Sequence, residues 1–143
     1  MNMTTIKSFT SLEQSKVLSK ILSDESSDMV YLRCGFEDEG EYSILVGSYH
    51  EGYTEKEDGT IVPVFDDHIP AWSLVALLEE IPEVINFDDD ENDYALKIFK
   101  ESGLYYLSYG NPLENGKVEI EAQENFVDAC YWMILKLHEL KML

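Results

Sequence analysis

The sequence predicts an α+β domain in which three helices accompany a mainly antiparallel sheet of about five to six strands. Three segments carry apolar residues at helical spacing behind residues that cap helices. Short runs of β-branched and aromatic residues lie between them, and the tight turns joining several of these runs require antiparallel pairing. At 143 residues with 45% hydrophobic content, the chain suits one core. We predict the order α-β-β-β-α-β-β-(β)-α in a single domain over residues 1–143.

The first helix and the first two strands are marked by local sequence. Thr10 and Glu13 fit a capping box, with Thr10 as the N-cap, and the helix is expected to run to about Leu22. Residues 29–34 and 42–49 are rich in β-branched and aromatic side chains, so each segment is predicted to form a strand.

A hairpin is predicted next. Asp-Gly at residues 58–59 is typical of a type I′ turn, and it would join arms over residues 49–57 and 60–65. Pro63 has no N–H to donate to a neighbouring strand. The second arm is therefore expected at a sheet edge or a bulge.

The central helix has the clearest boundaries in the chain. Ser73 is the expected N-cap, with Pro70 as an alternative first helical residue. Trp72 then precedes the cap and Leu77 follows four positions after it, which is the spacing of a hydrophobic staple. Pro82 ends the helix. We expect Trp72 to serve folding and not binding.

The second half of the chain predicts another hairpin and the longest helix. An acidic loop over residues 83–93 precedes strands over residues 94–100 and 104–109, and residues 117–121 suit a short last strand. Asn125 is the expected N-cap of the final helix. Its apolar stripe consists of Phe126, Cys130, Met133, Leu137 and Leu140, flanked by Val127, Ala129 and Ile134.

Net charge narrows the classes of partner. The chain carries −19, and residues 24–93 hold 21 acidic residues against only Arg33 and Lys56. This charge repels nucleic-acid phosphates and anionic membrane surfaces. We therefore expect no direct nucleic-acid or membrane binding, and the charge favours a basic protein partner. The oligomeric state is left open.

Cysteine usage and hydropathy predict a cytoplasmic location. Cys34 and Cys130 lie in apolar settings outside any CxxC motif, which suits two buried free thiols in a reducing compartment. No apolar run approaches the roughly 18 residues of a membrane span. Residues 1–7 lack the apolar core of a signal peptide.

One acidic segment partly resembles a calcium-binding loop. Asp88, Asp90 and Asn92 occupy the first, third and fifth positions of that pattern. However, Asp93 stands where glycine is needed, and Phe99 stands where a bidentate glutamate is needed. A solvated acidic loop is the favoured interpretation.

Two further groups of residues have the right chemistry but not the right spacing. Cys34 with His50 or His68 offers a nucleophile and a base. The run from Asp66 to His68 offers metal ligands, but it matches no compact metal motif. We therefore predict no catalytic residue, no metal site and no cofactor.

Two surfaces are candidates for partner contact. The first is an acidic contact surface, whose residues are Glu37, Asp38, Glu39, Asp88, Asp89, Asp90, Glu91 and Asp93. The second is an aromatic face on the second hairpin, whose residues are Tyr94, Tyr105, Tyr106 and Tyr109. Tyrosine suits an interface because one end is apolar and the other polar, although it is equally favoured for packing within strands.

Scattered segments resemble a group of small bacterial proteins associated with prophages and other mobile elements. The matching segments are Phe9–Ser15, Ile69–Leu74 with Leu77, Leu78 and Pro82, and Val127–Cys130. The group has no assigned activity, so the resemblance implies a genetic context and no mechanism.

The sequence thus favours a non-enzymatic, acidic, protein-binding module. The alternative is a DNA mimic or immunity-type inhibitor that occupies the basic cleft of a nuclease or DNA-binding protein. A metal-dependent hydrolase is the third and least favoured interpretation.

Overall fold

The structure is a computed structural model that describes residues 7–33, 42–46, 53–55, 57–63, 67–87, 92–110 and 118–143. Runs of consecutive strands separate its three helices, so the α+β class is as predicted. In chain order the elements are α1 (Leu12–Leu18), a 3₁₀ turn (Asp24–Ser26), β1 (Met29–Arg33), β2 (Ser43–Val46), β3 (Tyr53–Glu55), β4 (Ile61–Pro63), β5 (Asp67–Ala71), α2 (Leu74–Glu80), β6 (Val84–Asn86), β7 (Asp93–Glu101), β8 (Leu104–Tyr109), β9 (Val118–Glu119) and α3 (Phe126–Glu139).

All described strand pairs are antiparallel, as predicted, but the nine described strands form three sheets where one sheet of about five to six strands was expected. The sheet orders are β2-β1-β5, β3-β4 and β6-β7-β8-β9. The chain divides into two compact units, Phe9–Ala76 and Leu77–Leu143 together with the N-terminal segment that ends at Ser8. The count of one domain stays a prediction.

The unit over Phe9–Ala76 is built on the three-stranded sheet. β1 lies at its centre, with Tyr31 opposite Ile44 of β2 on one side and Ile69 of β5 on the other. Met29, Tyr31 and Ala71 form a buried cluster. Partly buried apolar side chains pack against this cluster, namely Phe9, Leu12, Tyr42, Ile44 and Ile69.

The first helix begins one residue later than predicted. Ser11 is the N-cap, and its capping box uses Gln14 instead of Glu13. The hydroxyl of Thr10 accepts a hydrogen bond from the backbone N–H of Trp72 at 3.1 Å and lies 2.8 Å from the Ser15 hydroxyl. Because these contacts occupy Thr10, the neighbouring serine caps the helix.

The start of the central helix was predicted correctly. The Ser73 hydroxyl accepts from the N–H of Ala76 at 3.2 Å, which makes Ser73 the N-cap of α2. Pro70 as the first helical residue is wrong, because it lies in β5 opposite Val30. Among the described strands β5 lies at the edge of its sheet, where the missing N–H of proline is tolerated.

The two predicted hairpins differ in their turns. Residues 57–60 lie between β3 and β4, where Glu55 pairs with Ile61 and Gly59 has a φ of +85°. The type I′ prediction is wrong here, because Asp58 does not share the positive φ that this turn requires. In the second hairpin Ser102 and Gly103 have φ values of +53° and +79°, as expected for a two-residue type I′ turn between Glu101 and Leu104.

The unit over Leu77–Leu143 consists of the four-stranded sheet and α3. α3 packs against β8, and Asn125 caps it as predicted by accepting from the N–H groups of Val127 and Asp128. The buried residues of α3 are Val127, Ala129, Cys130, Tyr131, Met133, Ile134 and Leu137. Leu140, predicted in the apolar stripe, is exposed.

Candidate functional site

A groove of about 740 Å³ lies between the chain segment after β8 and the outer side of α3. We call it the Trp132 groove; its lining residues are Glu119, Ile120, Glu121, Ala122, Gln123, Trp132, Leu135, Lys136 and Glu139. All of them belong to the unit over Leu77–Leu143.

One wall of the Trp132 groove is held by backbone hydrogen bonds to β8. The N–H of Tyr105 donates to the carbonyl of Gln123 at 2.7 Å, and the N–H of Gln123 donates back at 3.1 Å. The N–H of Ile120 also donates to the carbonyl of Leu107. The wall is therefore an extension of the sheet, held at both ends.

The other wall is a stripe along α3. Trp132, Leu135, Lys136 and Glu139 follow helical spacing, so they lie on one side of the helix. Trp132 is 48% exposed, although its indole packs edge-on against the Tyr131 ring with centroids 5.2 Å apart. An aromatic ring held in place but open to solvent is the type of side chain that dominates protein interfaces.

The charge of the groove is negative. Glu119, Glu121 and Glu139 are exposed carboxylates on its rim, and Lys136 is its only basic lining residue among those that the structure describes. An indole face attracts cations, as do the carboxylates around it. The groove therefore suits a lysine- or arginine-bearing ligand.

The predicted aromatic face is not one surface. Strand alternation places Tyr106 on one side of the sheet and Tyr105, Tyr109 and Tyr94 on the other. Tyr109 is buried, and its hydroxyl donates to the carbonyl of Pro82 at 2.5 Å. Burial raises the pKa of Tyr109 to about 12.

The other three tyrosines are half-buried in separate contacts. Tyr105 packs on the ring of Phe126 and carries the Lys100 ammonium 5.0 Å from its ring centre. Tyr106 stacks on Phe99 with ring centroids 4.6 Å apart. Tyr94 contacts Phe87 edge-on. These rings therefore pack within the sheet unit, and the structure does not bring them together as one face.

The predicted acidic contact surface is described only at Asp93, which is exposed at the start of β7. The remaining residues of that surface lie outside the described residues; they are Glu37, Asp38, Glu39, Asp88, Asp89, Asp90 and Glu91. The calcium-like pattern falls on the same segment at Asp88 and Asp90. The acidic contact surface stays a prediction.

Among the described residues, the side chains with nucleophile or metal-binding chemistry are not brought together. Cys34 and His50 lie outside the described residues, and Cys130 is buried in α3. Burial raises the pKa of the Cys130 thiol to about 12, so it stays protonated. Within the described ranges, no three side chains of His, Cys, Asp or Glu are grouped to hold a metal ion.

Trp72 is a structural residue. It has no exposed surface, and its indole N–H donates to the Ser26 hydroxyl at 2.9 Å. Its carbonyl accepts from the N–H of Thr10 at 2.9 Å, which links the start of α1 to the end of β5. The adjoining Ser73 is held by Asp28, which accepts from its backbone N–H at 2.8 Å and from its hydroxyl.

Trp132 was not among the site residues predicted from the sequence. The one signal available was a second helical stripe on α3, because Trp132 and Leu135 do not belong to the stripe that runs from Phe126 to Leu140. An aromatic residue off the buried side of a helix is an exposed one.

Comparison of the chain with protein families, curated proteins and solved structures found no match. The resemblance to mobile-element proteins therefore stays a prediction. No helix in the described ranges has the length and apolar character needed to cross a bilayer.

Proposed function

We propose that this protein is a non-enzymatic binding module whose Trp132 groove takes a lysine- or arginine-bearing segment of a protein partner. The observation that carries the proposal is a half-exposed tryptophan in a groove rimmed by three carboxylates. Both features attract the same chemistry. A cation over an exposed indole contributes about 0.5–1 kcal/mol, and each exposed ion pair about 0.2–1 kcal/mol.

The rigidity of the groove supports this function. Gln123 on one wall is fixed by paired hydrogen bonds to Tyr105, and Trp132 on the other lies on the 14-residue helix α3. A site whose walls are already ordered loses less conformational entropy when a ligand binds. The overall charge of −19 adds long-range attraction, which speeds association with a basic partner.

The test is a pull-down from a bacterial lysate at low and high salt, with variants that change the groove alone. Trp132→Ala removes the aromatic anchor, and Glu121→Lys reverses one rim charge. Glu25→Lys is the matched control, because Glu25 is exposed, lies outside the groove and gives the same change in net charge.

We expect wild type and Glu25→Lys to retain the same protein at low salt, and both groove variants to lose it. Loss at high salt follows from screening of the rim charges. A partner that both groove variants still retain would contradict the proposal, as would a partner that Glu25→Lys loses to the same extent as Glu121→Lys.

A further inference from the structure

The C-terminal half of β7 has one edge that no described strand covers. β7 runs from Asp93 to Glu101, but the short strand β6 pairs only with Asp93, Tyr94 and Ala95, and Glu83 reaches Leu96. No described strand pairs with residues 97–101 on that side. All five of these residues are exposed, including Ile98 at 41% and Phe99 at 38%.

The direction of each backbone group along this edge follows from one hydrogen bond. The N–H of Leu96 donates to the carbonyl of Glu83 at 2.8 Å, so Leu96 directs its backbone groups away from β8. Backbone direction alternates along a strand, which means that Ile98 and Lys100 also direct their N–H and C=O groups outward. Lys97, Phe99 and Glu101 direct theirs toward β8.

We propose that Lys97–Glu101 is a self-recognition edge, at which β7 pairs antiparallel with β7 of a second copy of this chain. The pairing is centred on Phe99, so that Ile98 of one copy lies opposite Lys100 of the other and exchanges backbone hydrogen bonds with it. Lys97 then lies opposite Glu101 of the second copy. By symmetry this charge pair forms twice.

Charge selects this register over its neighbours. Lysines on an edge normally discourage strand pairing. A register centred on Lys100 opposes two lysines directly, which is destabilising. A register centred on Ile98 opposes Lys100 to Leu96, whose outward N–H is already bonded to Glu83. Only the register centred on Phe99 leaves opposite charges facing each other and every outward group free to pair.

Side-chain packing favours the same arrangement. Phe99 already stacks on Tyr106 with an angle of 2° between the rings. In the paired sheet Phe99 lies opposite Phe99 of the second copy, and the two stacks join into one aromatic cluster. Cross-strand aromatic pairs stabilise sheets, and the closest approach occurs at positions that do not exchange hydrogen bonds.

The test is sedimentation velocity over a wide range of protein concentrations in about 0.15 M salt, where screening limits the repulsion between two acidic copies. We expect wild type to dimerise. Lys97→Glu and Glu101→Lys should each raise the dimer dissociation constant about tenfold or more, because each opposes like charges twice. The double charge exchange K97E/E101K should restore dimerisation.

Two controls separate edge pairing from other causes. Lys20→Glu makes the same change in charge as Lys97→Glu at an exposed position off the edge, so it should leave dimerisation unchanged. Amide hydrogen exchange should show protection that rises with protein concentration at Ile98 and Lys100. A protein that stays monomeric at every concentration overturns the proposal, as does a dimer that does not respond to the charge exchange or leaves these two amides unprotected.

Discussion

Replacing each of the two tryptophans by alanine should separate the residue that holds the fold from the residue that binds. Trp72 has no exposed surface, whereas Trp132 is 48% exposed. Removal of a large buried aromatic side chain costs about 3–5 kcal/mol, and the hydrogen bond from the Trp72 indole to Ser26 accounts for about 1 kcal/mol of that loss. We expect Trp72→Ala to lower the free energy of unfolding by about 4 kcal/mol.

Trp132→Ala is the matched change at a surface position, and we expect it to cost less than about 1 kcal/mol. The assay is urea denaturation followed by far-UV circular dichroism, fitted with a common slope for all variants. In a protein of this size, about 4 kcal/mol also corresponds to a fall in Tm of roughly 10–15 °C. Equal destabilisation by the two variants would refute the assignment of separate roles.

Three further predictions concern the interior of the unit over Leu77–Leu143. Ser108 is only 2% exposed, and its hydroxyl has no hydrogen-bond partner among the described residues. Ser108→Ala should therefore leave the free energy of unfolding, measured by urea denaturation, unchanged or raise it by about 1 kcal/mol. Tyr109→Phe removes the hydrogen bond to Pro82 and should cost about 1 kcal/mol at neutral pH. Burial raises the pKa of Tyr109 from 10.0 to about 12, so the unfolded chain loses this proton at lower pH than the folded protein does. The free energy of unfolding of wild type should therefore fall between pH 10 and 12 more steeply than that of Tyr109→Phe. Parallel pH profiles of the two proteins would contradict this. In a Cys34→Ala background, Cys130 should resist alkylation by iodoacetamide until the protein is unfolded in urea, because burial raises its thiol pKa to about 12; rapid labelling of the folded protein would show that the thiol is accessible.

Elements specified by neighbouring residues were predictable from the sequence. Ser73 and Asn125 cap α2 and α3 because each side chain reaches N–H groups two or three residues further along the chain. The turn at Ser102 and Gly103 was equally predictable, because the residues that favour it lie within the turn itself.

Elements that depend on distant partners were not predictable. No strand was predicted over β5, and its Pro70 was considered as an alternative first helical residue, but pairing with β1 makes this segment a strand. β6 lies within the segment expected to be an acidic loop, and it is a strand because it pairs with β7. A short strand is stabilised by its neighbours, which local sequence does not report.

The shift of the first capping box has the same cause. Thr10 and Ser11 are both good N-cap residues, and local sequence does not choose between them. Trp72, which lies 62 positions away, takes the Thr10 hydroxyl as an acceptor and so leaves the cap to Ser11.

The Trp132 groove was not predictable from the sequence for a similar reason. The sequence shows that Trp132 lies off the buried stripe of α3, but not what lies beside it. The groove exists because Gln123 pairs with Tyr105 and brings the carboxylates of Glu119 and Glu121 alongside the helix. Charge counted along the chain pointed instead to residues 24–93.

The most direct test of the Trp132 groove uses the indole N–H signals of the two tryptophans in a ¹⁵N-labelled sample. The probe is a short peptide of alternating arginine and glycine, titrated at low salt into wild type, Glu121→Lys and Glu25→Lys. Trp132→Phe identifies the Trp132 signal, and the Trp72 signal serves as an internal control because that side chain is buried.

We predict a saturable shift of the Trp132 signal with no change at Trp72. The shift should need about tenfold more peptide in Glu121→Lys, equivalent to about 1.4 kcal/mol, and change little in Glu25→Lys. An unmoved Trp132 signal, or equal weakening by the two charge reversals, would contradict a basic-segment site in this groove.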